Sequence, residues 1–441
     1  MRYSGLTPAT REQMLRAIGA NDIEALFASI PAGDRMQRPL DIAGPVPEAQ
    51  LWRDIDAMNV RRPRVALVGG GLYQHFIPAA LERLVSRSEW LTSYTPYQPE
   101  IAQGSCVMYY EFQSYAAMLT GQEIANGGMY DGSTALAEAV LMAKRLRPKA
   151  HRLYVSGALH PEYLAVLRTY LSFQDGIEIV VLPVDPATGR TRVEVSEADQ
   201  SAALAVIVQS PNFFGVIEDC AGIAADAFTI WCATEAMALA LVPPVPCQIA
   251  VGEIQSFGIP VQLGGPTSGY FATKKEHVRQ LPGRLIGRTV DADGKEAFCI
   301  TLATREQFIR RDRATSNICT ASGLMCLRAV TYLSLMGRRG LEDVARQNAK
   351  AARYVANGLA ELGIPRVHSG SFFNEFVIDL AAHPKLHKAL AKKDFVLGLP
   401  LARFYPKDKA MKHRYLVNVT ELHYPDAQAI VEEVRRHAVG R

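Results

Sequence analysis

The chain has 441 residues, 49% of them hydrophobic and 21% charged, with 48 basic against 44 acidic side chains and a net charge of +4. That balance belongs to an ordinary globular protein and excludes disorder, a collagen-like repeat and a small secreted scaffold. The charges are spread along the chain, which excludes the clustered basic footprint of a nucleic-acid binder. At roughly 100–200 residues per domain, the length predicts two closely packed domains or one large domain with an appendage.

Along the chain, the first sixty residues read as helix broken by turns. Thr7 can cap a helix that has Pro8 at its first position. A short helix is expected over Asp22–Ile30, a proline-bearing traverse over Arg35–Pro47, and a third helix from Glu48 to about Met58. This is read as a helical arm over residues 1–62, wrapping a partner or capping its own core. A strand is expected at Val65–Val68, and Gly69-Gly70-Gly71 after it as a flexible turn, since no third glycine at dinucleotide spacing follows. Helices are expected near 78–89, 103–120 and 131–147. Short apolar runs then alternate with helical stretches: Leu153–Val155, 161–173, Glu178–Leu182, Ala203–Val208, 219–227, Thr229–Ala233, Gln248–Val251 and Gly269–Ala272, with a basic helical start at Lys274. Buried strands alternating with helices predict a mostly parallel sheet covered on both faces. Two helices, about 320–337 and 339–362, lead into strands at Glu375–Leu380 and Tyr415–Val419 and helices near 384–392 and 425–438. The expected architecture is α/β: a large domain over 63–325 and a small C-terminal α+β domain over 326–441.

Seven cysteines, with no CxxC pair and an odd total, argue for free thiols and a reducing compartment. The first five residues carry no apolar signal stretch, and the longest apolar runs fall far short of the roughly 20 residues of a membrane span. A cytoplasmic location is expected. The ten histidines show no metal-ligand spacing, so no metal site is expected. Asn126 to Thr134, with Asp131, Gly132 and Ser133 between, puts small and hydroxyl residues at a helix start. Free N–H groups there can hold a phosphate, or Asp131 or Ser133 can cap the turn. His160, just after a strand, either meets a planar ligand or starts the next helix.

The most informative feature is an absence. No lysine occurs from Met1 to Ala143, or between Lys149 and Lys274. A parallel-sheet domain with a phosphate-type helix start and a small C-terminal domain is the outline of fold-type I pyridoxal-phosphate enzymes. Those need a mid-domain lysine to hold the cofactor as a Schiff base. Lys274 and Lys275, as openers of a predicted helix, fit that role poorly.

Specific stretches extend this outline to a family. Ser93-Tyr94-Thr95-Pro96-Tyr97-Gln98-Pro99-Glu100-Ile101-Ala102-Gln103-Gly104 resembles the signature of the glycine cleavage system P-protein. Met129–Glu138, Pro211–Gly215 with Glu218-Asp219, Leu281–Arg284, Thr304–Gln307, Ala314–Thr320 and Phe372–Glu375 support the resemblance in family order. Within the family the chain is most similar to the alpha subunit (subunit 1) of the two-subunit enzymes.

The resemblance implies a chain with the pyridoxal-phosphate fold but without the cofactor lysine, whose position falls on Gln255 when Phe257-Gly258-Ile259-Pro260 is laid on the beta-type motif. Pyridoxal phosphate is then expected on a lysine-bearing beta subunit, in a heterodimer paired again as α2β2. Glycine would be decarboxylated there and its aminomethyl group passed to the lipoyl arm of H-protein. Tyr94, Thr95, Tyr97, Gln98 and Glu100 are implied as active-site lining at the subunit interface. Asn126, Asp131, Gly132, Ser133 and Thr134 are implied as a disused phosphate cup. Thr267, Ser268, Ala303, Ala321 and Ser322 depart from the family pattern. They keep open a paralogous, lysine-less partner or regulatory subunit of a related enzyme acting on another small amino acid.

Overall fold

A computed structural model describes residues 5–58, 63–91, 95–262, 264–319 and 322–438. The chain divides into two compact units, residues 1–62 and 63–441. In the first, Thr7 caps α1 (Pro8–Ala17) by accepting from the Thr10 amide at 3.1 Å, and α2 spans Glu48–Met58. The helix expected at Asp22–Ile30 is only a 3-10 turn, Glu24–Phe27. Asp22 ties off the Ala25 amide at 2.8 Å there, and Pro31 follows. No described residue of this unit is buried.

The second unit opens with β1 (Val65–Ala66), α3 (Ala79–Val85), α4 (Ser88–Leu91), α5 (Gln103–Thr120) and β2 (Ile124–Ala125). The alternation then runs α6 (Gly132–Leu146), β3 (Arg152–Ser156), α7 (Pro161–Leu171), β4 (Glu178–Leu182), α8 (Glu197–Ala202), β5 (Ala205–Gln209), β6 (Thr229–Ala233), β7 (Ile249–Glu253) and β8 (Gly269–Thr273). These strands form one seven-stranded sheet in the order β2-β8-β7-β6-β5-β3-β4. β3 to β7 are parallel, and β8 runs antiparallel to β7.

Every residue of β5, β6, β7 and β8 is buried, because helices cover both faces. Successive side chains of each strand enter opposite cores. Trp231, Ala233, Ala250 and Tyr270 pack with α5 and the first half of α10. Ile230, Cys232, Val251 and Phe271 pack with α6 and α7.

β9 (Leu285–Val290) and β10 (Glu296–Thr301) form an antiparallel hairpin that the sequence reading missed. Its signal was present: the Asp291 carboxylate accepts from the Asp293 and Lys295 amides at 2.9 and 2.8 Å in the turn Asp-Ala-Asp-Gly. The helix expected at 219–227 shrinks to a 3-10 turn, Cys220–Gly222. Buried Gln200 accepts from the Ala224 amide and donates to the Gly222 carbonyl, replacing helical bonds.

After the short α9 (Gln307–Arg310), α10 (Gly323–Glu361) is broken at Gly337, which stands at φ 60°, so two helices run end to end as expected. Its second half, with α11 (Leu386–Ala391) and α12 (Ala427–Ala438), covers a three-stranded antiparallel sheet. That sheet has the order β11-β14-β13, with β11 at Glu375–Asp379, β13 at Leu399–Pro400 and β14 at Arg414–Asn418. β12 (Phe395–Val396) pairs in parallel with β1.

Trp231 is 1% exposed at the centre of the first core. Trp231→Ala is expected to destabilise the chain by about 3–5 kcal/mol, read as a lower urea midpoint.

Candidate functional site

The carboxyl ends of the parallel strands bring together His160, Gln209, Thr234, Glu235, Glu253 and Gln255, all buried. The N-terminus of α6 points into the same edge. Asp131 caps it, accepting from the Thr134 amide at 2.8 Å and from the Ser133 hydroxyl at 2.6 Å, while Thr134 accepts from the Asp131 amide at 3.2 Å. The next free donor, the Gly132 amide, is 3.1 Å from a carboxylate oxygen of Glu253. The other Glu253 oxygen accepts from the Ile254 amide at 3.1 Å and from the Thr267 hydroxyl. A Cβ on Gly132 would lie 2.5 Å from the Tyr163 hydroxyl and 2.9 Å from the Gly252 carbonyl carbon, so only glycine lets helix and strand approach this closely. Asn126 bonds to its own loop and to a distant one, accepting from the Gly128 amide at 3.1 Å and donating to the Pro282 carbonyl at 3.0 Å. The Gly132 and Thr134 amides and the Ser133 hydroxyl are thus spent on internal carboxylates, and the Asn126 side-chain amide on a backbone carbonyl. Burial lifts Glu253 to a pKa of about 7.

The turn after β1 closes the edge from the other side. Gln255 accepts from the Tyr73 amide at 2.8 Å and donates to the Tyr73 and Ile259 carbonyls at 2.9 and 2.7 Å. The Tyr73 hydroxyl donates to Glu375 at 2.9 Å, and Glu375 accepts from the Gly70 amide at 2.7 Å. Burial pushes Glu375 up to about 8. The triple glycine is therefore a pinned turn, not a flexible one. His160 caps α7 through its Nδ1, 3.2 Å from the Glu162 amide, and its Nε2 lies 2.8 Å from the Gly70 carbonyl.

Beneath this lies a charge cluster that the sequence reading missed. His75 sits between Glu235 at 3.1 Å and Glu421 at 3.0 Å. Burial opposes its charge, and the two carboxylates override burial to hold its pKa at about 10. Asn374 donates to Glu235 at 2.8 Å, and Asn348 donates to Glu421 at 2.6 Å. Only Asn374 lay in a stretch singled out from sequence.

A second, open region gathers most of the other family stretches. Tyr94 lies outside the described residues. Thr95 is half-buried, Gln98 and Glu100 are exposed, and Tyr97 is 53% exposed. The Tyr97 hydroxyl accepts from Arg284 Nη2 at 2.8 Å, and the guanidinium stands 5.2 Å from the centre of its ring. Phe308 meets the same ring edge-on at 5.7 Å. Arg284 Nε lies 3.6 Å from Glu306, whose side chain is nearly buried. Tyr97, Glu306, Gln307, Phe308, Ile318 and Cys319 line a cavity of about 350 Å³. Of the departing positions, Thr267 and Ser268 lie in the closed edge, where Ser268 donates to the Met129 carbonyl at 2.7 Å. Ala303 starts a 3-10 turn, Ser322 precedes α10, and Ala321 lies outside the described residues.

A model of the glycine cleavage system P-protein matches residues 1–424. The probable glycine dehydrogenase (decarboxylating) subunit 1 of Anaeromyxobacter dehalogenans is 43% identical, over 97% of this chain and 98% of that one. That of Sphingopyxis alaskensis is 44% identical over 96% of each. The chain belongs to the P-protein family.

A crystal structure of the glycine decarboxylase (P-protein) of the glycine cleavage system, in inhibitor-bound form, superposes at TM-score 0.85 with 39% identity, covering 99% of this chain and 100% of that one. A Lactobacillus brevis glutamate decarboxylase, 13% identical at TM-score 0.65, shares the fold alone. The P-protein chain described here thus has the fold of the fold-type I pyridoxal-phosphate enzymes. Its own residues do not fit that cofactor. Gln255, which the resemblance sets at the lysine position, carries an amide and not an amine and is bonded to the Tyr73 turn, and Glu253 holds the helix-terminal Gly132 amide. Lys274 follows the end of antiparallel β8, where Thr273 pairs with Ile249, the first residue of β7, and so lies at the opposite edge of the sheet. Among the described residues there is no cluster of three or more metal-binding side chains, and no helix is long and apolar enough to cross a membrane.

Two outcomes are expected. Gln255→Lys alone yields no borohydride-reducible pyridoxal-phosphate adduct at position 255 on peptide mapping, whereas Gln255→Lys with Glu253→Ala does. Because Glu375 is raised from about 4.5 to about 8 on folding, the native state holds its proton more tightly. Stability from this group is therefore full below pH 4.5 and is lost as pH rises towards 8. Urea unfolding across pH 5–8 should show the wild type losing stability with rising pH relative to Glu375→Gln.

Proposed function

We propose that this chain is the alpha subunit of a two-subunit P-protein, a component of the glycine-decarboxylating enzyme that is inactive alone. Pyridoxal phosphate is carried by a lysine-bearing beta subunit, where it supplies the electron sink for decarboxylation. The pair assembles as α2β2, acts on glycine, and passes the aminomethyl group to lipoylated H-protein. Supporting the division of labour, the bacterial relatives are each a probable glycine dehydrogenase (decarboxylating) subunit 1.

The observation that carries the reading is the contrast between the two regions. The edge where the fold would hold a cofactor is closed by the chain's own Glu253, Gln255 and Tyr73. The Thr95–Glu100 loop instead presents a half-exposed, hydrogen-bonded Tyr97. An exposed aromatic already held in one rotamer can enter a partner's site at little ordering cost. In this reading Tyr94, Thr95, Tyr97, Gln98 and Glu100 line the beta subunit's active site from across the interface. The helical arm, which buries none of its own described residues, wraps the partner. The free cysteines agree with a cytoplasmic location.

Of the departing positions that keep the paralogue reading open, Thr267 and Ser268 make hydrogen bonds inside the closed edge. The test is reconstitution. Neither this chain nor its lysine-bearing partner alone should release CO2 from carboxyl-labelled glycine in the presence of lipoylated H-protein, and the mixture should. Turnover by this chain alone with pyridoxal phosphate would overturn the proposal.

A further inference from the structure

Arginine 284 combines three features that a structural surface arginine does not need together. Its backbone is clamped: the Gly127 amide donates to its carbonyl at 2.9 Å, and Gln113 bonds both polar groups of Ile286 at 2.8 and 3.0 Å. Arg305 holds the Leu281 and Gly283 carbonyls just before it. Its guanidinium lies over the face of Tyr97 and also donates to that ring's hydroxyl. Its charge is answered by Glu306, a carboxylate that neighbouring chain has largely removed from water.

Hydrogen-bond inventory then decides the state of the phenol. Arginine can only donate, so the Tyr97 oxygen is the acceptor of that bond. The phenol's own proton is left to point away from Arg284, towards whatever approaches the exposed edge of the ring. Phe308 meets the same ring edge-on at 5.7 Å.

Resting on the alpha-subunit reading above, we propose that Arg284 and Glu306 are positioning residues that set Tyr97 as an outward hydrogen-bond donor to an acceptor oxygen of the amino-acid substrate. Glu306 has a distinct part in the device. An unmasked guanidinium beside a substrate carboxylate would stabilise the ground state, and that stabilisation is forfeited when CO2 leaves as a neutral molecule. With Glu306 beside it, Arg284 orients the phenol without offering the substrate a free cation.

The test uses the reconstituted complex with glycine as substrate, measuring kcat and KM for release of labelled CO2. Tyr97→Phe is expected to lower kcat/KM about tenfold, the worth of one hydrogen bond to the bound substrate. Arg284→Met should lower it similarly, the double variant should be no worse than Tyr97→Phe alone, and Arg284→Lys should recover part of the loss. Glu306→Gln should lower KM and kcat together.

The failures are distinguishable. Wild-type turnover by Tyr97→Phe overturns the alpha-subunit placement of this loop and the inference with it. An impaired Tyr97→Phe combined with a silent or fully multiplicative Arg284→Met overturns the inference alone. An unchanged KM in Glu306→Gln overturns the charge-masking role. A second measurement needs no partner and reports on folded protein only: fluorine NMR of the chain labelled with 3-fluorotyrosine, with Tyr97 assigned by its loss in Tyr97→Phe. Arg284→Met should shift and sharpen that resonance while the other tyrosines hold still. An unmoved resonance would mean that Arg284 does not position the ring.

Discussion

A helix N-terminus buried at a sheet edge must find acceptors for its first amides, and here the chain supplies them itself. Asp131 takes the Thr134 amide and Glu253 takes that of Gly132. The two carboxylates complement the positive end of α6 in the way a bound anion would. Much of the surrounding structure follows from that choice. Gly132 has to be glycine so that α6 can approach β7, Thr267 adds a hydroxyl to the Ile254 amide on the second Glu253 oxygen, and Gln255 two residues on turns to the Tyr73 backbone.

The cost of burying so many ionisable groups is met by pairing, not by avoidance. His75 keeps a positive charge between Glu235 and Glu421, and each carboxylate has further donors from Ser256, Asn374 and Asn348. Glu375 and Glu253 are handled differently: with no cation against them, burial raises both towards neutrality, and backbone amides satisfy them. The first cluster joins elements from both ends of the second unit, so the closed edge is also a point at which distant parts of the chain are held together.

The open region obeys the opposite logic. Tyr97 and Phe308, both more than half exposed, are large apolar groups that a free surface gains nothing by displaying. Behind them the polar groups are tightly arranged: Arg284 on Tyr97, Glu306 on Arg284, Arg305 on the loop that carries Arg284. Rigid support behind an exposed aromatic is the arrangement expected of a surface that meets another molecule.

The fold class was legible in sequence because its signals are local. Short continuous apolar runs in β3 and β5 to β8, helical spacing in α5, α6 and α10, and the Thr7 and Asp131 caps all depend on residues within a few positions of one another. The missing lysine was legible as well, since an absent amine needs no geometry to be noticed. The 219–227 helix failed because its backbone bonds were taken by Gln200, a side chain from another element. For the same reason no pattern along the chain announced Glu253 on Gly132, 121 residues apart, or Arg284 on Tyr97, 187 apart. By itself the sequence determined that this is an α/β chain with no lysine where its fold would need one. Only the tertiary structure decided which side chains close the sheet edge and that Arg284 meets Tyr97, because strand order and loop clamping choose which distant side chains meet.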